Sequence, residues 1–258
     1  YDRHFRVSQS FGMELIPIAM TPDGPDMDAV EAAVRDPAVK GIWCVPKYSN
    51  PQGIVYSDAV VDRLAALRPA APDFALMWDN AYCLHEVYGE FVPFRDMLTL
   101  CREAGNADMV YEFASTSKIT FPGAGVAVMA ASEANLKSLS GLLGAQTISY
   151  DKVNQLRHVR FLQDKAHVLE LMQRHAAILR PKFEAVLAAL RGIAPLNIAS
   201  WTEPKGGYFV SCDAMPGTAK RTLALCAGAG VTMTPAGATY PGGNDPADSN
   251  IRIAPSLP

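Results

Sequence analysis

The sequence has no long apolar run and no marked excess of charge of either sign. None of its apolar stretches approaches the roughly 18 to 20 residues that a membrane-spanning helix needs. The first ten residues, YDRHFRVSQS, lack the apolar centre of a secretory signal. The 23 basic and 26 acidic side chains give a formal charge of −3, which offers a polyanion no broad attraction. We therefore expect neither a membrane protein nor a nucleic-acid-binding protein.

Cysteine and histidine are scarce, and neither forms a metal or disulfide motif. The five cysteines are odd in number and contain no C-x-x-C pair, which favours reduced thiols and a cytoplasmic location. The five histidines contain no H-E-x-x-H, so no metal site is expected. GAGVAV holds only part of a dinucleotide-binding fingerprint and does not link a first strand to a helix. These absences leave metal-dependent and dinucleotide-dependent chemistry unsupported.

Short apolar runs alternate with segments of helical period, and this pattern predicts the fold. Helices are expected after the caps Asp26 and Ser57, over 93–104, and from Ser132 to about Gln146. Such alternation is typical of an α/β domain with a mostly parallel sheet and flanking helices, whose functional groups gather at the carboxyl ends of strands. The predicted strands are 14–20, 41–46, 74–79, 109–115 and 126–132.

A long helical pattern from Asp151 to Leu190 precedes a smaller α+β unit. Pro181 falls inside this pattern, so we predict a kink or two helices there. His158, His167 and His175 lie on the same pattern, and surface placement is expected for them. We divide the chain into a large domain over 1–160 and an interdomain helix with a small domain over 161–258. In the small domain, short strands are predicted at 197–201, 207–212, 231–235 and 251–255, around a helix near 217–227.

Polar residues follow three of the predicted strands, and their types fit one cofactor. Each alone has an ordinary structural explanation, such as a turn, a helix cap or a solvated charge. Pyridoxal phosphate needs a lysine for a Schiff base, a carboxylate at the pyridine nitrogen, donors to the phenolic oxygen and hydroxyls for the phosphate. The strand-end set provides all of these groups: Asn50, Asp79, Tyr82, Ser115, Ser117 and Lys118.

Five motifs extend this resemblance over nearly the whole chain. They are NPQG (50–53), DNAY (79–82), STSK (115–118), PKGGYF (204–209) and NIRIA (250–254). Together they resemble the fold-type I pyridoxal-phosphate family of class I aminotransferases. The resemblance implies the aspartate aminotransferase-like fold, and a chain that is incomplete at both ends.

The resemblance also assigns roles to residues. It implies that Lys118 bonds the cofactor covalently and that Asp79 pairs with the pyridine nitrogen. Asn50 and Tyr82 would contact the phenolic oxygen, and the serines Ser115 and Ser117 the phosphate. By the same resemblance, Arg252 binds the substrate α-carboxylate and Tyr1 stacks on the cofactor ring.

The segments STSKITFPGAGVA and YDRHF are most similar to the MocR-like branch of bacterial aspartate aminotransferases. This similarity implies a cytoplasmic homodimer that transfers an amino group from aspartate to 2-oxoglutarate, giving oxaloacetate and glutamate. A dicarboxylic substrate needs a second cation, and Arg3 lies two residues from Tyr1. We therefore add Arg3, with Asn50 and Arg252, to the predicted substrate-binding residues.

One departure from the family pattern concerns the phosphate. The family places an arginine a few residues after its PG pair, whereas this sequence has Gly125 there. Phosphate binding must therefore rely on the serines and on groups outside this sequence, which include a segment before Tyr1 and the partner subunit.

Two alternatives remain open on the residues alone. The same scaffold can support another pyridoxal-phosphate reaction, such as β-elimination. An aminotransferase-like domain can also serve as the effector domain of a transcription regulator, behind a DNA-binding helix-turn-helix that would precede Tyr1. The exact amino donor and acceptor are likewise open.

Overall fold

The computed structural model of the protein describes residues 2–256, so the proposed ring-stacking Tyr1 lies outside the described residues. In this range no helix combines the length and the apolar character that crossing a membrane requires. The helices are α1 (Asp2–Ser10), α2 (Met27–Ala33), α3 (Asp58–Ala65), α4 (Met97–Glu103), α5 (Glu133–Gln146), α6 (Lys152–Leu162), α7 (Lys165–Ile193) and α8 (Ala219–Gly228). The strands are β1 (Met20–Thr21), β2 (Gly24–Pro25), β3 (Gly41–Cys44), β4 (Ala75–Asp79), β5 (Val110–Ser115), β6 (Ala127–Ala131), β7 (Ala199–Trp201), β8 (Val210–Ala214) and β9 (Asn250–Ile253).

Side-chain caps set the starts of helices α2 to α7. Each cap accepts a hydrogen bond from a backbone N–H of the first turn, which would otherwise lack a partner. The predicted caps Asp26, Ser57 and Ser132 are confirmed. The remaining three caps are Asp96, Asp151 and Asp164.

The larger sheet has the strand order β3-β4-β5-β6 and brings the predicted strand ends together. β3, β4 and β5 run parallel, while β6 runs antiparallel to β5. The sheet is therefore mixed, with the expected parallel arrangement through its first three strands. Because parallel strands end at one edge, the residues after Cys44, Asp79 and Ser115 meet there.

A single apolar core joins this sheet to the helices beside it. β4 contributes Leu76 and Trp78, both fully buried, and α3 contributes Val61 and Leu64. The alternation of buried and half-buried residues along β4 is the pattern of a strand covered on both faces. This packing fixes the position of β4, and therefore the position of Asp79 at its carboxyl end.

The second sheet, β7-β8-β9, is antiparallel and packs on the long helix α7 and on α8. Phe183 and Leu187 of α7 are buried with Val210 of β8. β9 carries Arg252, and its partner in the register is Ser211. The division of the chain at 160/161 remains a prediction.

Three sequence expectations about regular structure are wrong. Residues 14–19 form no strand, because Pro17 lacks the N–H that a ladder needs, and only Met20 and Thr21 pair. Residues 231–235 are irregular as well. The long helical pattern divides at Gln163, where φ is +55°, so the alternative of two helices that meet at Pro181 is wrong. α7 continues through Pro181 because its buried residues lie on both sides of the proline.

The surface placement expected for His158 is also wrong. Its side chain is buried, with Nε2 2.8 Å from the Thr120 hydroxyl and Nδ1 2.8 Å from the Asn154 carbonyl oxygen. Both ring nitrogens thus have polar partners, which makes burial of an imidazole tolerable. His167 and His175 are partly exposed.

A buried ion pair ties the loop after β3 to the segment after β4. The side chains of Lys47 and Glu86 are only 2% and 4% exposed and bond each other directly. The Lys47 amine also donates to the carbonyl oxygens of Cys83, at 3.0 Å, and Val92, at 2.7 Å. Removal of one partner would leave an uncompensated buried charge.

We predict that Glu86→Leu lowers the free energy of unfolding by about 3 to 5 kcal/mol, because the Lys47 ammonium would remain buried without its counter-ion. Denaturant unfolding measures this change. Glu203→Leu is the matched control, since its partner Arg191 is 57% exposed and a solvated pair of this kind contributes little to stability. Equal losses in the two variants would contradict the role assigned to the buried pair.

Candidate active site at the strand ends

A cleft at the carboxyl edge of the larger sheet brings together four of the predicted site residues. Asn50 follows β3, Asp79 ends β4, Tyr82 lies three residues further on, and Lys118 follows β5. Val45 and Ala81 complete the described lining of the cleft. The peptide bond between Asn50 and Pro51 is cis. Strand ends thus place an amide, a carboxylate, a phenol and an amine around one space.

Burial moves the acid and the amine of this cleft toward their neutral forms. Burial lowers the pKa of Lys118, and the nearby Asp79 carboxylate opposes that change. Burial raises the pKa of Asp79, while the Trp43 indole and the charge of Lys118 oppose it. The Lys118 ammonium nitrogen also lies 4.7 Å from the centroid of the Tyr82 ring. A lowered pKa leaves more of the amine unprotonated near neutral pH, and only the unprotonated amine can act as a nucleophile or base.

Trp43 contacts Asp79 directly, and no sequence motif predicted this contact. Its Nε1–H donates to Asp79 Oδ2 at 3.3 Å. The indole stacks on His4 on one side, at 5.1 Å between centroids, and is parallel to the Phe113 ring at 6.3 Å. The register of β3 against β4 creates this contact, and single-strand patterns do not reveal register.

Arg252 reaches the cleft from β9 of the second sheet. Its Nη1 donates to Asn50 Oδ1 at 3.1 Å, and its Nη2 donates to Thr234 Oγ1 at 3.3 Å. The guanidinium carbon lies 4.7 Å from the centroid of the Phe209 ring. In the described range, the buried Nε of Arg252 has no hydrogen-bond partner. The side chain is therefore held by its neighbours while keeping donors for a ligand carboxylate.

The two serines lie on the segment that leads to Lys118. Ser115 Oγ accepts from the backbone N–H of Ser117 at 3.1 Å. A Cβ at Gly125 would lie 2.4 Å from Ser117 Oγ, so this chain has no space there for the arginine of the family pattern. Neither serine belongs to the described lining of the cleft.

Glycines of two sequence motifs allow the two sheets to approach each other. A Cβ at Gly53 would lie 2.3 Å from Pro204 Cβ, and φ at Gly53 is +70°. A Cβ at Gly206 would lie 2.3 Å from the His85 carbonyl oxygen. A side chain at Gly53 would push NPQG away from PKGGYF, and one at Gly206 would push PKGGYF away from the segment after β4.

The structure does not bring Arg3 into the cleft. Its side chain is exposed on α1, and it is absent from the described lining. Its neighbour His4 does stack on Trp43, which places α1 beside the residues that contact Asp79. The substrate-binding role of Arg3 stays a prediction.

The donor set fits pyridoxal phosphate. An amine and a carboxylate face one cleft, and burial favours the unprotonated form of the amine. Beside Asn50, which lines the cleft and accepts from Arg252, the buried Arg252 Nε has no partner in the part of the chain described here.

The aspartate amino-transferase family model matches residues 1–258. The chain belongs to this family. It is 52% identical over 260 residues to a Mycolicibacterium smegmatis protein named as an aminotransferase, of which it covers 61%. It is 48% identical over 259 residues to an aspartate aminotransferase of Corynebacterium glutamicum, of which it covers 60%. The chain thus spans about three fifths of the length of these relatives.

Solved structures of aminotransferases share the fold. An aspartate transaminase from Corynebacterium glutamicum superposes with a TM-score of 0.97 at 47% identity, over 100% of this chain and 61% of that one. An α-aminoadipate aminotransferase from Thermus thermophilus, solved with N-(5′-phosphopyridoxyl)-L-leucine, superposes with a TM-score of 0.81 at 23% identity. It matches 99% of this chain and 64% of its own length, and shows the fold alone. The fold-type I aminotransferase fold predicted from the sequence is confirmed.

We predict that Trp43→Phe raises the pKa of Asp79 further, because the ring and its stacking remain while the indole N–H is lost. Carboxyl ¹³C titration of aspartate-labelled protein measures this pKa, with the resonance assigned by Asp79→Asn. Trp201→Phe is the control, since its indole bonds the exposed Glu203 and should leave the Asp79 titration unchanged. An unaltered Asp79 titration in Trp43→Phe would show that the indole does not stabilise the carboxylate.

Proposed function

We propose that this chain forms the catalytic part of a pyridoxal-phosphate-dependent aminotransferase that converts aspartate and 2-oxoglutarate into oxaloacetate and glutamate. The observation that carries the proposal is the meeting of Lys118, Asp79 and Asn50 at one cleft, with Arg252 hydrogen-bonded to Asn50. Membership of the aspartate amino-transferase family supports the reaction type. The Corynebacterium glutamicum relative, named an aspartate aminotransferase, supports the substrate.

Lys118 and Asp79 perform the proton chemistry in this proposal. When bound, pyridoxal phosphate supplies a ring that accepts the electrons released at the substrate Cα. Lys118 Nζ would hold the cofactor covalently, and the same amine, when free, would take the Cα proton. Its lowered pKa favours the unprotonated form that this step requires. The Asp79 carboxylate holds a proton at the pyridine nitrogen by charge pairing.

The remaining residues orient the two molecules. Asn50 Oδ1 already accepts from Arg252, which leaves the Asn50 amide N–H groups for the phenolic oxygen beside Tyr82. The planar fork of Arg252 matches the α-carboxylate of an amino acid or 2-oxo acid. Ser115 and Ser117 serve the phosphate, together with groups outside this sequence. Tyr1 would stack on the cofactor ring and Arg3 would bind the second carboxylate.

The assembly and location belong to the same proposal. We propose a homodimer, by resemblance to the family, and a cytoplasmic location. The five free cysteines support the second point, because free thiols persist in a reducing compartment.

An amino-donor screen tests the proposed reaction. The full-length protein, supplied with pyridoxal phosphate and 2-oxoglutarate, should form glutamate fastest with aspartate as the donor. Release of ammonia and a 2-oxo acid without glutamate would instead identify an elimination reaction. Cofactor binding without turnover, in a protein that binds DNA, would favour the regulator alternative.

We predict that Asp79→Asn lowers kcat by about 10- to 100-fold, because the pyridine nitrogen loses its charged partner. Stopped-flow measurement of the single turnover with aspartate reports this change. Asp73→Asn is the control, since Asp73 is exposed and pairs with the surface residue Lys40. Single-turnover rates in Asp79→Asn that match those of the unmodified protein would be incompatible with the mechanism.

We predict that Arg3→Lys lowers kcat/KM for aspartate much more than for alanine, because lysine lacks the fork that binds a carboxylate in two places. Initial rates with the two donors measure this ratio, and Arg6→Lys on the exposed part of α1 is the control. An unchanged ratio would remove Arg3 from the substrate site and leave the aminotransferase proposal standing.

A further inference from the structure

The backbone carbonyl of Lys118 receives two side-chain contacts from distant parts of the chain. Tyr208 Oη donates to the Lys118 carbonyl oxygen at 3.1 Å. His85 Nε2 lies 3.3 Å from the same oxygen. The first contact comes from PKGGYF, just before β8, and the second from the segment after β4. The residue that bears the proposed reactive amine is therefore held through its main chain.

The protonation of His85 suits this contact. Burial lowers the pKa of His85 to about 4, so its ring is neutral at neutral pH. A carbonyl oxygen can only accept, so this contact is a hydrogen bond in the tautomer that carries its hydrogen on Nε2, and we assign that tautomer to His85. His85 and Tyr208 thus act as two donors to one acceptor.

The rings of Tyr82, His85 and Tyr208 form one aromatic cluster that encloses Lys118. Their centroids lie 5.6 Å apart for Tyr82 and His85, 5.9 Å for Tyr82 and Tyr208, and 5.3 Å for His85 and Tyr208, all edge to face. The Lys118 amine lies over the Tyr82 ring, while the carbonyl oxygen faces the other two residues. The cluster therefore contacts both ends of the lysine.

Tyr208 also connects Lys118 to the part of the structure that carries Arg252. It lies two residues before β8, and β8 pairs with β9, which contains Arg252. The hydroxyl contact therefore relates the position of the proposed base to that of the proposed carboxylate-binding group. Reacting groups must be placed to within fractions of an ångström for efficient transfer.

We propose that Tyr208 is a positioning residue for Lys118, with His85 as the second anchor of the same carbonyl. The two contacts of Tyr208 and His85 with the Lys118 carbonyl oxygen form a clamp. This clamp keeps the Lys118 amine in the cleft, over Tyr82 and near Asp79. This inference deepens the proposed function and rests on Lys118 as its base. It assigns no catalytic step to either anchor.

Tyr208→Phe removes the hydroxyl and keeps the ring. Its first readout is competitive acetylation of Lys118 in the cofactor-free protein, followed by peptide mass spectrometry across a pH series. Burial lowers the pKa of Lys118, so release of the clamp should raise that pKa toward the ordinary lysine value. The same shift is expected for His85→Phe, while His85→Gln, which retains an N–H donor, should restore the original profile at least in part.

The second readout is turnover. We expect Tyr208→Phe to lower kcat by about 2- to 12-fold, the size of one neutral hydrogen bond, with KM for aspartate little changed. Tyr88→Phe is the matched control, because its ring lies near Arg180 and Lys205, and neither readout should move.

The outcomes separate this inference from the proposed function. An unaltered Lys118 acetylation profile in Tyr208→Phe overturns the positioning role, even if the variant is less stable. A shifted profile in a protein that performs no amino transfer supports the clamp and rejects the proposed function. A shifted profile with lowered kcat supports both.

Discussion

The pairing of a half-buried amine with a half-buried carboxylate, Lys118 with Asp79, is the constraint on which the site depends. Burial disfavours the charged form of each group, so the pKa of Asp79 is raised and the pKa of Lys118 is lowered. The mutual attraction of the two groups and the Trp43 N–H oppose these changes. Parallel strands make the pairing possible, because β4 and β5 end at the same edge of one sheet.

The second sheet completes the site from the other end of the sequence. Arg252 and Asn50 are in hydrogen-bond contact although 202 positions separate them. Gly53 lets NPQG approach Pro204, and Gly206 lets PKGGYF approach the His85 carbonyl, because a side chain at either glycine would collide there. The buried Lys47–Glu86 pair secures the loop that leads to Asn50. The positions of the charged and polar groups around the cleft thus depend on packing between segments that are distant in the sequence.

Local signals in the sequence predicted much of this arrangement. The caps Asp26, Ser57 and Ser132, and the strands that end near Asn50, Asp79 and Ser115, follow from residue type and period. Contacts that depend on register or tertiary packing were missed, among them those of Trp43 with Asp79 and of Tyr208 with Lys118. Tertiary packing also explains why α7 continues through Pro181. The tendency of proline to end a helix is outweighed by the burial of α7 residues on both sides of it.

The proposed aminotransferase function requires Lys118 to be the residue that bonds the cofactor in this cleft. The most direct measurement is borohydride reduction of the full-length protein with pyridoxal phosphate, followed by peptide mass spectrometry. We predict a phosphopyridoxyl group on Lys118, and none at this position in the Lys118→Ala variant. A modified lysine elsewhere, such as the buried Lys47, or no modified lysine at all, would contradict it.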